Sequence, residues 1–406
     1  MSVAAPQTVS PPAPRAGVLP RASFARVEVL DDPAQAQAAW RELSPETRGS
    51  FYQSERFVIS WFAIFGSRRR AKPFFVVARD ASNAPLAVLP LALFHFGPLR
   101  VAQFPGEKHS NYNLGLFRAG AELSAQDLKD LLRVAARAAP GGPHLYRLRS
   151  LPLAWRGAPN PLARLDHALA ASRARAADLP QDGEAFLARR LSADARKKLR
   201  KKEKRLAALG ELRYFRAAGA KEKAKVLDAF FAHKAGRPEF RLGQGEIGAL
   251  RAFYGALAEG EGGAELHVLA VGDRIVAVLG AGANGGRLQG MFISYDPDPE
   301  IARSSPGEIL LTHVLRDACA RNFTAFDLGV GEARYKADFC DKVEELADAL
   351  YAPTALGRLA QPIFALAAVA KRTIKANPKL FALAEKIRRG RRPGWPARRE
   401  SPGTDY

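Results

Sequence analysis

Apolar residues recur along this chain at two spacings, one helical and one extended, and their alternation predicts an α+β protein. Behind Gln53–Ser54–Glu55, the positions Phe57, Ile59, Trp61, Phe62 and Phe65 follow a helical spacing, and Gly66 predicts the end of that helix. Pro73–Arg79 and Leu86–Phe94 are apolar runs joined by the turn-prone Asp80–Ala81–Ser82–Asn83, the pattern of two paired strands. Strands are also predicted at Leu99–Phe104, Asn113–Phe117 and Leu145–Leu151, with a helix over Ala125–Ala139.

The second half repeats the theme. Leu191, Leu199, Leu206 and Leu209 share a helical stripe that Gly210 ends. A strand at Arg213–Phe215 and a helix at Ala220–His233 follow. Three strands come next, Ala264–Val271, Ile275–Ala283 and Arg287–Ser294, turning at Gly272–Asp273 and Asn284–Gly285. Then come a helix at Pro306–Arg321, a strand at Ala325–Leu328, a helix at Glu332–Phe339 and a strand near Leu346–Tyr351. This order is not the βαβαβ succession of a doubly wound parallel sheet. It predicts an N-terminal half over residues 25–154, a linker over 155–177 and a C-terminal half over 178–352. A basic helical tail is expected over 353–390. The Ala/Pro-rich residues 1–24 and the stretch 391–406 are expected to be disordered.

Charge adds a partner class. The net charge is +21, with ten Lys/Arg against two acids between Arg189 and Arg205, and twelve against three after Ala355. Such blocks suit a polyanion, an anionic membrane face or nucleic acid, and equally a solvated helix face. The apolar residues Ile363, Phe364, Leu366 and Val369 ahead of Lys371 favour an interfacial helix. The longest apolar stretch, Ile363–Ala370, falls short of the roughly 20 residues of a bilayer span. With no signal peptide and two thiols, Cys319 and Cys340, that lack a CxxC spacing, the expected place is the cytoplasm, including the inner face of the membrane.

Few catalytic motifs survive inspection. Gly280, Gly282 and Gly285 spell GxGxxG, but a strand rather than a helix follows, so no helix N-terminus is there to hold a pyrophosphate. The seven histidines are scattered and no metal is expected. Ser305–Pro306–Gly307–Glu308 is a better anion site: Ser305 as helix cap, Pro306 in the first turn, Glu308 closing a capping box and Gly307 leaving the amides open. Glu332, Tyr335, Lys336 and Phe339 share one helical face. Asp327 is either a general base or a structural acceptor that fixes Gly329–Val330–Gly331. His109–Ser110–Asn111–Tyr112–Asn113 is a dense polar cluster, either an ordinary loop or, across a cleft, a reader of a hydroxylated acceptor.

The run Phe326–Asp327–Leu328–Gly329 with Gly331, Tyr335–Lys336 and Phe339 resembles the cellulose-biosynthesis acetyltransferase family (the CelD/BcsL type), as do Tyr295–Asp296 and Ser305–Pro306–Gly307 before it. That family belongs to the GNAT superfamily and fuses two GNAT-like halves, as the Fem peptidoglycan aminoacyltransferases do. The resemblance implies two mixed, mostly antiparallel sheets flanked by helices, and acetyl-coenzyme A or another acyl-coenzyme A as co-substrate. It implies a donor site at Ser305, Pro306, Gly307 and Glu308, although the usual Q/RxxGxG/A loop is absent. Tyr335 is then the candidate acid that protonates the leaving thiolate, with Asp327, Lys336 and Glu332 beside it. His109, Asn111, Tyr112 and Asn113 are candidates for holding a glycan or amine acceptor in exopolysaccharide, cellulose or envelope synthesis. Two rival readings are Fem-like transfer from aminoacyl-tRNA, with the Arg189–Arg205 helix gripping RNA, and a non-catalytic scaffold bound to an anionic membrane.

Overall fold

The computed structural model describes residues 24–383, apart from 44–48, 236, 238–239, 241, 332 and 378. The expected disorder of residues 1–23 and 391–406, and Glu332 as a site residue, fall outside the described residues. Strand β1 (Arg26–Leu30) and helices α1 (Pro33–Leu43), α2 (Glu55–Trp61) and α3 (Ser67–Arg69) precede the hairpin of β2 (Lys72–Arg79) and β3 (Pro85–Phe96). Then come β4 (Leu99–Gln103), β5 (Leu116–Phe117), α4 (Ala125–Ala138), β6 (Leu145–Pro152), a small hairpin β7 (Ala154–Trp155)–β8 (Ala158–Pro159), β9 (His167–Leu169) and β10 (Ala174–Asp178).

The second half opens with α5 (Gly183–Arg190), α6 (Ala193–Ala207), β11 (Leu212–Arg216), α7 (Gly219–Lys234) and α8 (Gln244–Ala258). It continues through β12 (Glu265–Val271), β13 (Arg274–Asn284), β14 (Arg287–Tyr295), α9 (Pro299–Ala302) and α10 (Pro306–Ala320). The chain then forms β15 (Ala325–Val330), α11 (Arg334–Phe339), β16 (Lys342–Glu344), β17 (Leu346–Tyr351) and the tail helix α12 (Ala355–Ala376).

The two sheets have one plan. The first runs β1-β2-β3-β4-β6-β17-β9, with β5 on β3, and the second runs β11-β12-β13-β14-β15-β10-β16. Each contains one parallel pair at the same place, β4 with β6 and β14 with β15. Beyond that pair the halves exchange strands. β10, from the stretch expected to be a linker, lies between β15 and β16 of the second sheet. β17, expected to close the second half, instead pairs with β6 and β9 of the first. The boundaries at 155–177 and 352 are therefore corrected: each half lends its last strand to the other. Short polar runs such as Ala174–Asp178 carry no alternation strong enough to announce a strand; the open edge of β15 makes one of it.

Local chemistry explains most element ends. Ser54 Oγ accepts from Phe57 N and starts α2. Gly66 does not stop the helix. It adopts φ −50°, the chain passes through a π turn at Phe62–Gly66 and continues to Arg69, and Arg70 at φ 50° ends it. The second-half hairpin turns at Gly285–Gly286, one residue later than expected, because Asn284 pairs with Arg287 and both glycines have positive φ. Leu191 closes α5, and Ser192 then caps α6, so the leucine stripe spans two helices. Helix α8 went unanticipated: glycines at 245, 248 and 255 mask the stripe Leu250, Phe253, Tyr254 and Leu257, all buried.

A central core joins the halves. Trp40, Phe57 and Trp61 from the first meet Phe230, Phe253 and Phe292 from the second. Phe57 and Phe253 are in edge contact at 5.3 Å, and Phe230 and Phe292 lie 4.7 Å apart. One further core lies under each sheet, around Leu128, Leu131 and Tyr146 in the first half and Leu310, Val314 and Phe326 in the second.

Candidate active site

Strands β14 and β15 pair only over Arg287–Gln289 and Ala325–Asp327, and then part. A register shift on this stretch leaves Met291 without a partner on β13, since Gly280 opposes Phe292 and Ala281 opposes Gly290. Into the gap reaches Asn111 of the first half. Its Nδ2 donates to Tyr52 Oη at 2.7 Å and to Gly290 O at 3.3 Å, while its Oδ1 accepts from Val330 N at 3.2 Å. Gly329 is required here twice over. Its φ is +68°, and a Cβ would fall 2.2 Å from the Asn111 amide.

Below the gap lies a buried charge cluster that the sequence did not announce. Arg287 donates to Asp327 Oδ2 from Nε (3.0 Å) and Nη2 (2.7 Å), and from Nη2 to Glu344 Oε2 (2.8 Å). The guanidinium lies over Trp155 at 4.3 Å and Tyr112 at 5.6 Å. Burial opposes its charge, but Asp327 and Glu344 outweigh it and hold its pKa above the usual arginine value. Burial also raises Glu344 above the usual carboxylate range. The other Asp327 oxygen accepts from Gly329 N at 2.5 Å. Both Asp327 oxygens are thus engaged, one by Arg287 and the other by the turn at Gly329. Tyr112 is a correction too. It is fully buried against Trp155, 4.7 Å between ring centroids, rather than offered to an acceptor.

A cavity of about 1150 Å³ opens between the halves. Tyr335, Lys336 and Val330 line one side, His109, Asn111 and Asn113 another, and α12 contributes Ala370, Lys371, Ile374 and Lys375. Its walls carry Arg69, Lys108, Arg147, Arg149, Lys234, Lys336, Lys371 and Lys375 against Glu107 and Asp348 as the carboxylates, so it favours an anionic occupant. Lys336 Nζ donates to Val330 O at 2.7 Å, which ties α11 to the end of β15. Burial, and to a lesser degree Cys340, raises the Tyr335 phenol above its usual value, so it stays protonated at neutral pH. His109 stacks on Phe65 at 5.8 Å; burial first, then Lys108 and Arg69, lowers it to about 3, so its imidazole is neutral. Asn113 ties its loop to β6, donating to Arg149 O at 2.8 Å while its Oδ1 accepts from Ser110 Oγ at 3.0 Å.

The helix N-terminus expected to hold a pyrophosphate is built differently from its motif. Ser305 sits at φ 50°, ψ 57° and makes no side-chain cap, so the capping box does not form. Instead Lys202 of α6 donates to Ser305 Oγ (2.9 Å) and Glu308 Oε2 (2.8 Å). An ammonium between two acceptors displaces the weaker reciprocal bonds of a capping box. Pro306 occupies the first turn as expected, and Gly307 leaves room: a Cβ would meet Tyr295 only at 3.8 Å and Ile293 at 3.9 Å. None of these four residues lines the cavity, but Ile293 does, which makes β14 the path between them. Elsewhere, Glu265, His267 and Asp317 converge closely enough to hold a metal ion. Arg321 already donates to both Glu265 oxygens, at 2.7 and 2.5 Å, and to Asp317.

Two similar mixed sheets with a parting parallel pair in the second define the tandem GNAT fold. Residues 193–337 match the family of acetyltransferase (GNAT) domains. Among solved structures the chain is similar to FemX, with a TM-score of 0.57 and 11% identity over 84% of this chain and 99% of that one. It is also similar to L-PGS from Bacillus licheniformis (TM-score 0.49, 14% identity, 86% and 98% covered). A tandem GNAT protein from the clavulanic acid biosynthesis pathway gives 0.46 and 12%, with 81% and 98% covered. At such identities the likeness is one of fold. No curated protein matches by sequence.

Proposed function

We propose that this chain transfers an acyl group, most simply acetyl, from acyl-coenzyme A to an amine or hydroxyl of an anionic acceptor held in the cavity between its halves. The observation that carries this reading is that one cationic cavity meets the parting of β14 and β15, the Tyr335 phenol and the polar loop of the first half. In the transfer, the acceptor's lone pair attacks the thioester carbonyl, the carbon–sulfur bond breaks, Tyr335 gives its proton to the departing thiolate, and the proton released by the acceptor nitrogen or oxygen passes to solvent, from which the phenol is restored. The donor pyrophosphate is assigned to the start of α10, whose first-turn amides and helix dipole favour an anion, with the Lys202–Glu308 ion pair beside them. Lys336 positions the Val330 carbonyl, and His109 and Asn111 face the acceptor. The family resemblance supports an acceptor from exopolysaccharide, cellulose or envelope synthesis, and the acid-free α12 suits an anionic surface near it.

A second reading has one observation in its favour. Asn111 bridges the two strands where a pantetheine arm would pair with them, which suits a donor without that arm, such as an aminoacyl-tRNA. Calorimetric titration with acetyl-coenzyme A, longer acyl-coenzyme A species and total tRNA separates the two. Coenzyme A binding that depends on Gly307 supports the first reading, and tRNA binding without it supports the second.

A further inference from the structure

Helix α12 has two unlike faces. One packs on the first sheet: Gly357 abuts His144 O, and Phe364 lies beneath Arg147 at 5.3 Å and against Phe96 at 6.1 Å. The opposite face is bare. Leu359 is 78% exposed, Ile363 69% and Leu366 68%, at spacings of four and three that form one stripe. The 22-residue helix contains no acid. The cations lie off the stripe: Arg358 stands to one side, Lys371 and Lys375 line the cavity, Arg372 Nη1 donates to Leu169 O and Lys375 Nζ to Ser172 Oγ. An exposed apolar stripe on a helix without acids is the pattern of a helix lying in a membrane interface, whose apolar side enters the acyl boundary while long cationic side chains such as Lys371, at the cavity edge, reach toward anionic headgroups. The helix is too short on hydropathy to cross a membrane.

The stripe and the cavity share an edge. Ala370 and Ile374 are exposed on α12 and also line the cavity, next to Lys371 and Lys375. Cations crowd there: desolvation, and then Lys375 and Arg149, push the Lys371 ammonium below the usual lysine value, with Asp348 opposing. A bound headgroup phosphate would relieve that repulsion.

We propose that α12 lies on an anionic lipid leaflet through Leu359, Ile363 and Leu366, so that the cavity opens beside it onto the headgroup layer and admits an anionic amphiphile as acceptor. The docking half stands independently of the acyl-transfer reading, and the acceptor half rests on it.

The test uses the full chain. Wild-type protein sediments with vesicles of phosphatidylglycerol in phosphatidylcholine at physiological salt, and hardly at all with phosphatidylcholine alone. The triple variant Leu359→Ser, Ile363→Ser, Leu366→Ser loses at least about tenfold in partitioning, with unchanged melting because all three side chains face solvent. No sedimentation of wild type, or equal sedimentation of the variant, overturns the docking. A concentration-dependent dimer that the triple substitution dissolves assigns the stripe to a second copy, which overturns it as well. For the acceptor, calorimetry with a short-chain soluble phosphatidylglycerol shows binding that Lys371→Gln with Arg149→Gln weakens at least about tenfold. No binding, equal binding by this variant, or equal binding of glycerol 3-phosphate overturns the amphiphile. Loss of coenzyme A binding in separate titrations overturns the acyl-transfer reading while the sedimentation result stands.

Discussion

Tyr335 and Asp327 are both polar groups near the parting of β14 and β15, but only Tyr335 lines the cavity. Tyr335→Phe keeps the ring and its packing while removing the proton. Steady-state kinetics are expected to show kcat lower by at least about tenfold with donor affinity little changed, equivalent to roughly 1.4 kcal/mol of transition-state stabilisation. Unchanged turnover would reduce Tyr335 to a packed aromatic. Asp327→Ala acts on stability instead, because it leaves Arg287 buried with Glu344 as its remaining carboxylate partner. Breaking such a buried pair costs about 3–5 kcal/mol, readable as a lower urea midpoint. His109 sets an acid limit. Its folded imidazole takes up a proton only near pH 3, whereas an unfolded one does so near about 6.5. Between those values the unfolded chain binds more protons, so His109 leaves stability intact above about pH 6.5 and erodes it as pH falls. His109→Phe retains the stack on Phe65, and urea melts across that pH range should show a shallower acid limb. An identical limb would exclude His109 as a contributor.

At the scale of elements, the start of α10 and the basic helix α6 act as one unit. Lys202 bridges Ser305 and Glu308, so a cation from one helix stands at the positive end of another. If a donor pyrophosphate binds there, a β-branched side chain at 307 obstructs the first-turn amides, while its Cβ meets only ordinary contacts within the protein. Gly307→Val is therefore expected to weaken coenzyme A binding by at least about tenfold, with melting unchanged. Equal affinity by calorimetry removes this loop from the donor site.

For the whole molecule, the reciprocal exchange of β10 and β17 has a thermodynamic consequence. Neither sheet is complete without the other half's chain, and the central core around Phe57, Phe253 and Phe292 spans both. The described chain is expected to unfold in one cooperative transition, with calorimetric and van't Hoff enthalpies in agreement. Two separable transitions, or a stable second half begun after Asp178, would show that the exchanged strands are dispensable.

The long elements were legible from apolar spacing along the chain, since the hydrophobic effect demands one buried face from each. That spacing gave α4, α10 and the strands from β12 to β14 within a residue or two, and so the GNAT order of the second half. Tyr335 was singled out by the family resemblance and His109 and Asn111 by a run of polar residues, and all three line the cavity. Glycine-rich α8 was hidden because propensity weakens the signal that packing restores. Pairing partners could not be read at all. A strand as short as β10 is defined by the edge it satisfies, and that edge belongs to residues some 150 positions away, Ala325–Val330. The same holds for the cluster of Arg287, Asp327 and Glu344, and for Asn111 between β14 and β15: each is a contact between distant segments. Local sequence sets which face of an element must be buried, whereas unpaired backbone and buried charge choose their partners only once the sheets have assembled.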